Sequence, residues 1–257
     1  MTQQPRDYLY GGDFAEERAR LAGIEALWDP GSQSLLDELG LGAGWRCLEV
    51  GAGGGSLIEW MNERGATVTA VDIDTRFIDH LASATVDVRC LDIRSHDLPP
   101  GEFDLVHARL VLEHLSDRRN ILRKLVGTLR PGGWILIEDY EFSCFSLGDQ
   151  PYLDATTRAM LGFMEKAGYD RAYGRRVVDD LVEAGLTEVR GEGRTRIIDA
   201  HSPGFDFFKL SFESIRGAVV ASGALAAADA DAAAARFADK SMRIFTPIVM
   251  AGIGRRA

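Results

Sequence analysis

Cysteine is scarce here and its spacing is uninformative: Cys47, Cys90 and Cys144 are the only three, far apart and odd in number. That excludes a disulfide framework and leaves no pair at metal-ligand spacing. Cys47 and Cys90 fall in apolar runs and are expected in the core as small hydrophobes; Cys144 has a less defined context. No apolar stretch reaches the length that spans a bilayer. Basic charge is also short, with 29 Lys and Arg against 39 Asp and Glu, a net charge of −10. Nucleic acid and anionic membranes both require a positive footprint, so neither is expected as a partner. The densest basic cluster, Arg118-Arg119 through Arg123-Lys124, reads as a solvated helix face. The opening Met1-Thr2-Gln3-Gln4-Pro5-Arg6-Asp7 is polar and lacks the basic-then-apolar pattern of a secretory signal. Internal repeats and disordered linkers are missing too. The expectation is a soluble cytoplasmic protein in a reducing compartment, and 46% hydrophobic residues suffice for a sizeable core.

The chain shows alternation instead. After a polar start, 13–27 reads as an amphipathic helix; Asp29-Pro30-Gly31 is expected to break it, and a second helix over 32–39 stops at Gly40. Strands are expected at 46–50, 67–72, 87–90, 103–108 and 134–140. Helices are expected between them at 57–64, 76–84, 111–114 and 118–129. Such repeated strand–helix units, with strands apolar on both faces, imply a parallel sheet covered on both sides with right-handed crossovers. Further on, helices are expected at 153–167 and 174–184, a strand at 186–198, a mostly helical stretch over 203–238 and a strand at 242–253. The alanine-rich run 224–235 reads as an exposed good helix former, and Pro247 interrupts or bulges the final strand.

The chemistry concentrates in Arg46-Cys47-Leu48-Glu49-Val50-Gly51-Ala52-Gly53-Gly54-Gly55-Ser56. A buried strand ends in a loop so short of side chains that a ligand can touch its backbone, at the carboxyl edge where open α/β sheets bind nucleosides. Asp72 closes the second strand, roughly 20 residues further, where an acid can accept from both hydroxyls of a ribose. Asp92 closes the third, placed to accept from an exocyclic amine of adenine, with Ile73 and Ile93 sandwiching the base. The competing reading is that both acids cap the turns that follow them. A pyrophosphate fingerprint would read G-x-G-x-x-G, whereas the glycines here stand at 51, 53 and 55. Glu49 also points at the loop and would repel a pyrophosphate, but suits a ligand carrying ammonium or sulfonium.

Five segments in order now resemble one family, the class I S-adenosylmethionine-dependent methyltransferases. Glu49-Val50-Gly51-Ala52-Gly53-Gly54-Gly55 resembles its first motif, Val71-Asp72-Ile73 its ribose-binding acid, and Leu91-Asp92-Ile93 its adenine motif. Phe103-Asp104-Leu105-Val106-His107-Ala108-Arg109 is similar to its fourth strand, and Leu129-Arg130-Pro131-Gly132-Gly133-Trp134-Ile135-Leu136 to its turn into the fifth. The resemblance covers roughly 41–140. It implies a Rossmann-like α/β fold: a seven-stranded, mostly parallel sheet with an antiparallel last strand, helices on both faces, and S-adenosylmethionine as cofactor. It further implies that Tyr10, Glu49, Gly51, Ala52, Gly53, Asp72, Ile73, Asp92, Ile93, Ala108 and Arg109 bind that cofactor. Tyr10 or Arg109 would take its carboxylate.

The expected organisation is one domain: an N-terminal cap over 1–40, a cofactor-binding core over 41–142, helical lid segments over 143–185 and 199–241, and the last two strands over 186–198 and 242–255. The usual family member joins those strands in a simple hairpin, so the insertion is a departure. The expected partner is a small aromatic or apolar molecule, of the kind bacterial secondary metabolism produces. Helical additions of this kind can also pair, which leaves a homodimer open.

Methyl transfer needs alignment of nucleophile and methyl, shielded from water; an oxygen nucleophile also benefits from a general base. Candidate bases are Asp139, Glu141 and His114, with Glu138 beside them and His107 packed behind the site. Trp28, His201 and Phe205 are candidate substrate contacts, although Phe205, Phe207, Phe208 and Phe212 also fit a plain apolar helix face. Two alternatives stand: a nicotinamide-dependent oxidoreductase, which shares the loop and Asp72, and an S-adenosylmethionine-binding protein that transfers no methyl.

Overall fold

The computed structural model describes residues 15–257. Tyr10 and the start of the expected first helix lie outside the described residues. The chain divides into two compact units.

The first comprises 28–141, 172–194 and 249–257. Its strands are β1 (Arg46–Val50), β2 (Thr67–Asp72), β3 (Val86–Cys90), β4 (Phe103–Arg109), β5 (Leu129–Glu141), β6 (Thr187–Arg194) and β9 (Ile248–Arg255). They form one sheet in the order β3-β2-β1-β4-β5-β9-β6. β1 pairs in parallel with β2 and β4, and β4 with β5. β9 runs antiparallel to β6, and just past its end the Gly132 N–H donates to the Arg256 carbonyl (2.8 Å) and the Arg256 N–H to the Gly133 carbonyl (2.9 Å). The expected sheet, with its reversed last strand, is what the chain forms.

Both faces of the sheet are apolar because side chains alternate along each strand. On one face Leu48, Val50, Val106, Ile135 and Ile137 meet Ile121, Leu122 and Leu125 of α3 (Arg118–Thr128) and Val177 and Leu181 of α5 (Val177–Glu183). On the other, Cys47, Val68, Leu105, Leu136 and Ile253 meet Leu35 and Leu36 of α1 (Glu17–Glu38) and Leu57, Ile58 and Met61 of α2 (Ser56–Glu63). Each fully buried Leu or Ile contributes about 1.5–3 kcal/mol. The same alternation sends Glu138 and Tyr140 to the α1 face of β5, and Asp139 and Glu141 to the α5 face.

Several elements depart from expectation for identifiable reasons. Asp29-Pro30-Gly31 does not break the first helix; α1 runs through Pro30. A proline inside a helix costs about 3 kcal/mol, but Trp28 donates its indole N–H to Tyr140 Oη (2.8 Å), and the Asp29 and Ser32 side chains are tied to Arg109 and Glu138. The expected helix over 76–84 is a single turn, Asp79–Leu81, because Ser83 turns the chain at once into β3, taking the Val86 N–H on its hydroxyl (3.1 Å). Cys90 is exposed rather than in the core, because β3 is the sheet edge. The Arg118–Lys124 face is not simply solvated: Arg119 pairs with Asp180 and Glu183, and Arg118 lies over the Tyr173 ring.

The second unit comprises 1–27, 142–171 and 195–248, of which residues from 15 onward are described. α4 (Pro151–Lys166), α6 (Phe205–Ala221) and α7 (Ala227–Phe237) share a core of Ala159, Leu161, Met164, Ile215, Val219 and Ala230. The alanine run is thus partly buried, Ala230 and Ala233 allowing close helix packing. Pro247 ends one strand and lets another begin: β7 (Ile197–Asp199) and β8 (Arg243–Phe245) pair in a separate two-stranded sheet. The segment 172–185, expected among the lid helices, belongs instead to the sheet unit. Tyr173, Val177 and Leu181 complete that core, and Gly174 lies so close to β5 that a Cβ there would stand 2.8 Å from the Asp139 carbonyl.

Candidate functional site

The loop after β1 is held open by glycine. Gly51, Gly53 and Gly55 have φ of 69°, 57° and 93°, in the region that side chains disfavour. The N–H groups of Gly51 and Ala52 both donate to the Val71 carbonyl, at 2.9 and 3.4 Å, fastening the loop to β2. A Cβ on Gly51 would stand 2.3 Å from Val111 Cγ2. Gly51→Ala is therefore expected to lose about 1–2 kcal/mol from backbone strain alone, more with the clash, measured by thermal or denaturant unfolding.

Asp72 braces the same loop. Its Oδ2 accepts the Gly53 N–H (2.9 Å) and its Oδ1 the Asp74 N–H (3.0 Å). Burial pushes its pKa above the usual carboxylate range, opposed by these backbone hydrogen bonds. Asp92 behaves differently: Arg94 grips its carboxylate through Nε and Nη2 and lowers its pKa. Ile73 is 50% exposed whereas Ile93 is 7% exposed and belongs to the core. The expected pair of plates around a base is thereby reduced to one, because Ile93 faces inward.

Behind the loop lies a buried polar chain across three strands. Register sets Glu49 on β1 beside His107 on β4. His107 Nδ1 is 2.7 Å from Glu49 Oε2, and its Nε2 is 3.0 Å from Glu138 Oε2 on β5. The Ser32 hydroxyl donates to Glu138 Oε2 (2.6 Å) and accepts from Arg109 Nη1 (2.9 Å), while Arg109 Nη2 holds Asp29 (2.7 Å). Arg194 donates to Glu138 Oε1. Gly31 makes room for that guanidinium, since a Cβ there would stand 2.0 Å from Arg194 Nη1. At the same strand edge Leu110 holds a positive φ of 55°, its N–H donating to the Glu138 carbonyl at 2.7 Å. Strain of that kind gathers at functional sites.

The remaining candidates sort by face. Asp139 and Glu141, the preferred bases, point to the α5 side of β5. Asp139 is fully buried, its carboxylate receiving the Glu113 N–H (3.4 Å), and burial, aided by the Glu113 charge, pushes its pKa well up. Glu141 is paired with Arg175 (2.5 Å). Glu138, passed over in sequence, occupies the opposite side. His114 sits on the turn after β4, 3.8 Å from Glu113 Oε1. Ala108 is buried, and Arg109, expected to meet the cofactor's carboxylate, is already engaged by Asp29 and Ser32. Among the substrate candidates Trp28 and Phe205 are buried, Phe205 edge-on to Phe237 at 6.1 Å, which makes them core residues; His201 is exposed. Tyr10 lies outside the described residues. Among the described residues no cluster could hold a metal ion and no helix is long and apolar enough to cross a membrane.

A family described as a methyltransferase domain matches residues 48–137. The ubiquinone biosynthesis O-methyltransferase of Pseudomonas syringae pv. tomato is 31% identical over 179 residues, covering 60% of this chain and 75% of that protein. Across the first curated relatives the match spans 51–75% of their length. Among solved structures, phosphoethanolamine N-methyltransferase 2 of Haemonchus contortus, in complex with S-adenosylhomocysteine, aligns with a TM-score of 0.58 at 15% identity, over 95% of this chain and 59% of that one. A methyltransferase from an antibiotic biosynthesis pathway of Anabaena variabilis aligns at 0.62 and 14%, over 88% and 96%. At such identities the structures speak for the fold alone. The curated likeness reaches further, and with the sheet order it makes this chain a member of the class I S-adenosylmethionine-dependent methyltransferases, with S-adenosylmethionine as its cofactor.

Proposed function

We propose that this methyltransferase acts on an oxygen of a small aromatic or apolar molecule, and that Glu49, Asp72, Ile73 and the loop Gly51–Gly53 hold the cofactor. The observation that carries the cofactor assignment is the arrangement of two carboxylates about one glycine loop. Glu49 offers charge to an ammonium or sulfonium through Oε1, which has no hydrogen-bond partner among the described residues. Asp72 keeps lone pairs for a diol beyond the two backbone N–H groups it accepts. Ile73 offers an exposed apolar face to a flat ring. This set fits a cofactor with cationic, diol and aromatic parts; it does not fit a pyrophosphate, and membership of the family removes the nicotinamide alternative.

Bound there, S-adenosylmethionine supplies an electrophilic methyl on a sulfonium centre. The chain's share is placement: a backbone loop without side chains, fixed to β2, and carboxylates held before the ligand arrives. Neither Asp139 nor Glu141 stands ready to take a proton, since Asp139 is buried on the far face and Glu141 is paired with Arg175. A phenolic or similarly acidic hydroxyl, which ionises without strong help, suits such a site. The O-methyltransferase relative supports an oxygen acceptor, and a net charge of −10 disfavours phosphorylated acceptors.

Methyl transfer from isotopically labelled S-adenosylmethionine, run against a panel of phenols, amines and phosphoethanolamine, tests this. Labelled phenyl ethers are expected; turnover confined to amines or phosphorylated amines would reject the oxygen assignment. Asp139→Asn and Glu141→Gln are expected to leave kcat within a few-fold, whereas loss of a general base costs about 10²–10⁴-fold. Asp139→Asn also tests the pH dependence of stability. A carboxyl whose folded pKa is raised favours folding below its unfolded pKa, a contribution lost as pH rises through the folded value. The variant is therefore expected to resist unfolding better than the parent at alkaline pH.

A further inference from the structure

We propose that His107 is a positioning residue of the cofactor site, holding Glu49 through a proton shared along Glu49, His107 and Glu138, and that occupancy of this proton sets cofactor affinity. The proposal rests on the assignment of Glu49 to the cofactor's cationic groups.

Both ring nitrogens of His107 face carboxylate oxygens, at 2.7 Å and 3.0 Å. A neutral imidazole has one N–H and one lone pair, so it can donate to only one of them. Two contacts of hydrogen-bond length therefore call for one proton more than a neutral ring between two carboxylates holds. The site can keep it. His107 and Glu138 are both 0% exposed, and in a low-dielectric interior a carboxylate facing a lone pair is costly. Three charged groups stand on or beside the trio: Arg109, Arg194, and Glu192, which lies 3.8 Å from Arg194 Nε. Arg194, from β6, donates to Glu138 Oε1; Arg109, on β4, is neutralised by Asp29 of α1 and touches the trio only through the Ser32 hydroxyl. With the proton present, Glu49, His107, Glu138 and Arg194 sum to zero charge. Without it the cluster is a buried net anion and one of the two carboxylate contacts is lost.

Glu49 depends on that contact. Among the described residues its only side-chain hydrogen bond is through Oε2 to His107, which leaves Oε1 for the ligand. His107 thus fixes the orientation of a carboxylate on the strand that leads into the glycine loop. Glu138, through Ser32 and Arg194, fixes His107 in turn.

The test is calorimetric titration of S-adenosylhomocysteine into wild type, His107→Gln and Glu49→Gln between about pH 5 and about pH 8, the range in which histidine charge ordinarily changes. Wild type is expected to bind about tenfold more weakly at the alkaline end. His107→Gln is expected to show no such step. Parallel profiles in wild type and His107→Gln, or an affinity that rises with pH, would overturn the proposal. Weakened binding in Glu49→Gln alongside parallel profiles would overturn the positioning role alone; unweakened binding in Glu49→Gln would overturn the Glu49 assignment beneath it. If His107→Gln does not fold, ¹⁵N-histidine NMR of the wild type decides. His107 is the one buried histidine of five, and its ring nitrogens are expected to shift when the cofactor site is saturated. Unchanged resonances would refute the coupling.

Discussion

Glu138→Ala is expected to lower the stability of the chain by about 3–5 kcal/mol, the cost of removing one partner from a buried ionic cluster. The carboxylate accepts from the Ser32 hydroxyl and Arg194, stands 3.0 Å from His107 Nε2, and is itself fully buried. Its removal takes away the anion that balances a guanidinium and an imidazole ring in the interior, where their charge cannot be returned to water. It also releases Ser32, and with it one of the ties that carry α1 through Pro30. Glu138→Gln keeps the shape and one acceptor oxygen, so a smaller loss of about 1–3 kcal/mol is expected. A control is Arg158→Ala: Arg158 and Asp154 form an exposed i,i+4 pair, for which a change of no more than about 0.5 kcal/mol is expected. Denaturant unfolding of the three variants checks the order. Equal losses in Glu138→Ala and Arg158→Ala would show that the buried network contributes nothing beyond a surface ion pair.

Asp72→Ala is expected to weaken S-adenosylhomocysteine binding by about 1–3 kcal/mol, roughly 5- to 150-fold in Kd. Two effects combine: the acceptor for a ligand diol is lost, and the Gly53 N–H loses the oxygen that holds it at 2.9 Å. Asp72→Asn separates them, since its amide oxygen can still accept from Gly53 while its charge is gone. A pH effect follows from the same residue. Because burial raises the Asp72 pKa, the charged, binding form is lost on acidification sooner than for an ordinary aspartate, and affinity is expected to fall as pH drops through that raised value. The sign for stability is opposite: the raised pKa favours folding in acid and costs stability as pH climbs past it. Calorimetry and thermal melts on the same pH series should therefore move in opposite directions on the acid limb. Unchanged binding in Asp72→Ala would reject the assignment to the cofactor.

The sheet was largely legible in the sequence because its signals are local and periodic. The apolar run Cys47–Val50 and the glycines that follow announce their own geometry, and β1, β2 and β4 start where composition places them. The polar network was not legible, because its members stand far apart along the chain and are joined only by register. His107 was read as packed behind the site, and nothing in its neighbours says that carboxylates from β1 and β5 flank it. Asp139 and Glu141, the preferred candidate bases, share the α5 face of β5 while Glu138 joins the network on the other: a strand sends adjacent side chains to opposite faces, and sequence does not say which face carries the network. Pro30 misled because propensity is a weak prior beside tertiary anchoring. The split of β7 from β6 and of β8 from β9 was half visible, in Pro247.

The position of β9 bears on how the chain reaches its fold. β9 is the latest of the sheet strands in sequence, yet it lies between β5 and β6. Until it is in place, two strands whose inner edges it will cover present unpaired backbone groups, the template on which strands of other chains can add. The pairing it completes also joins segments separated by most of the second unit, a long loop closure of the kind that slows folding. Aggregation during refolding should therefore begin from a late intermediate with a parted sheet rather than from the unfolded chain, and peptides copying Ile248–Arg255 should compete for the gap.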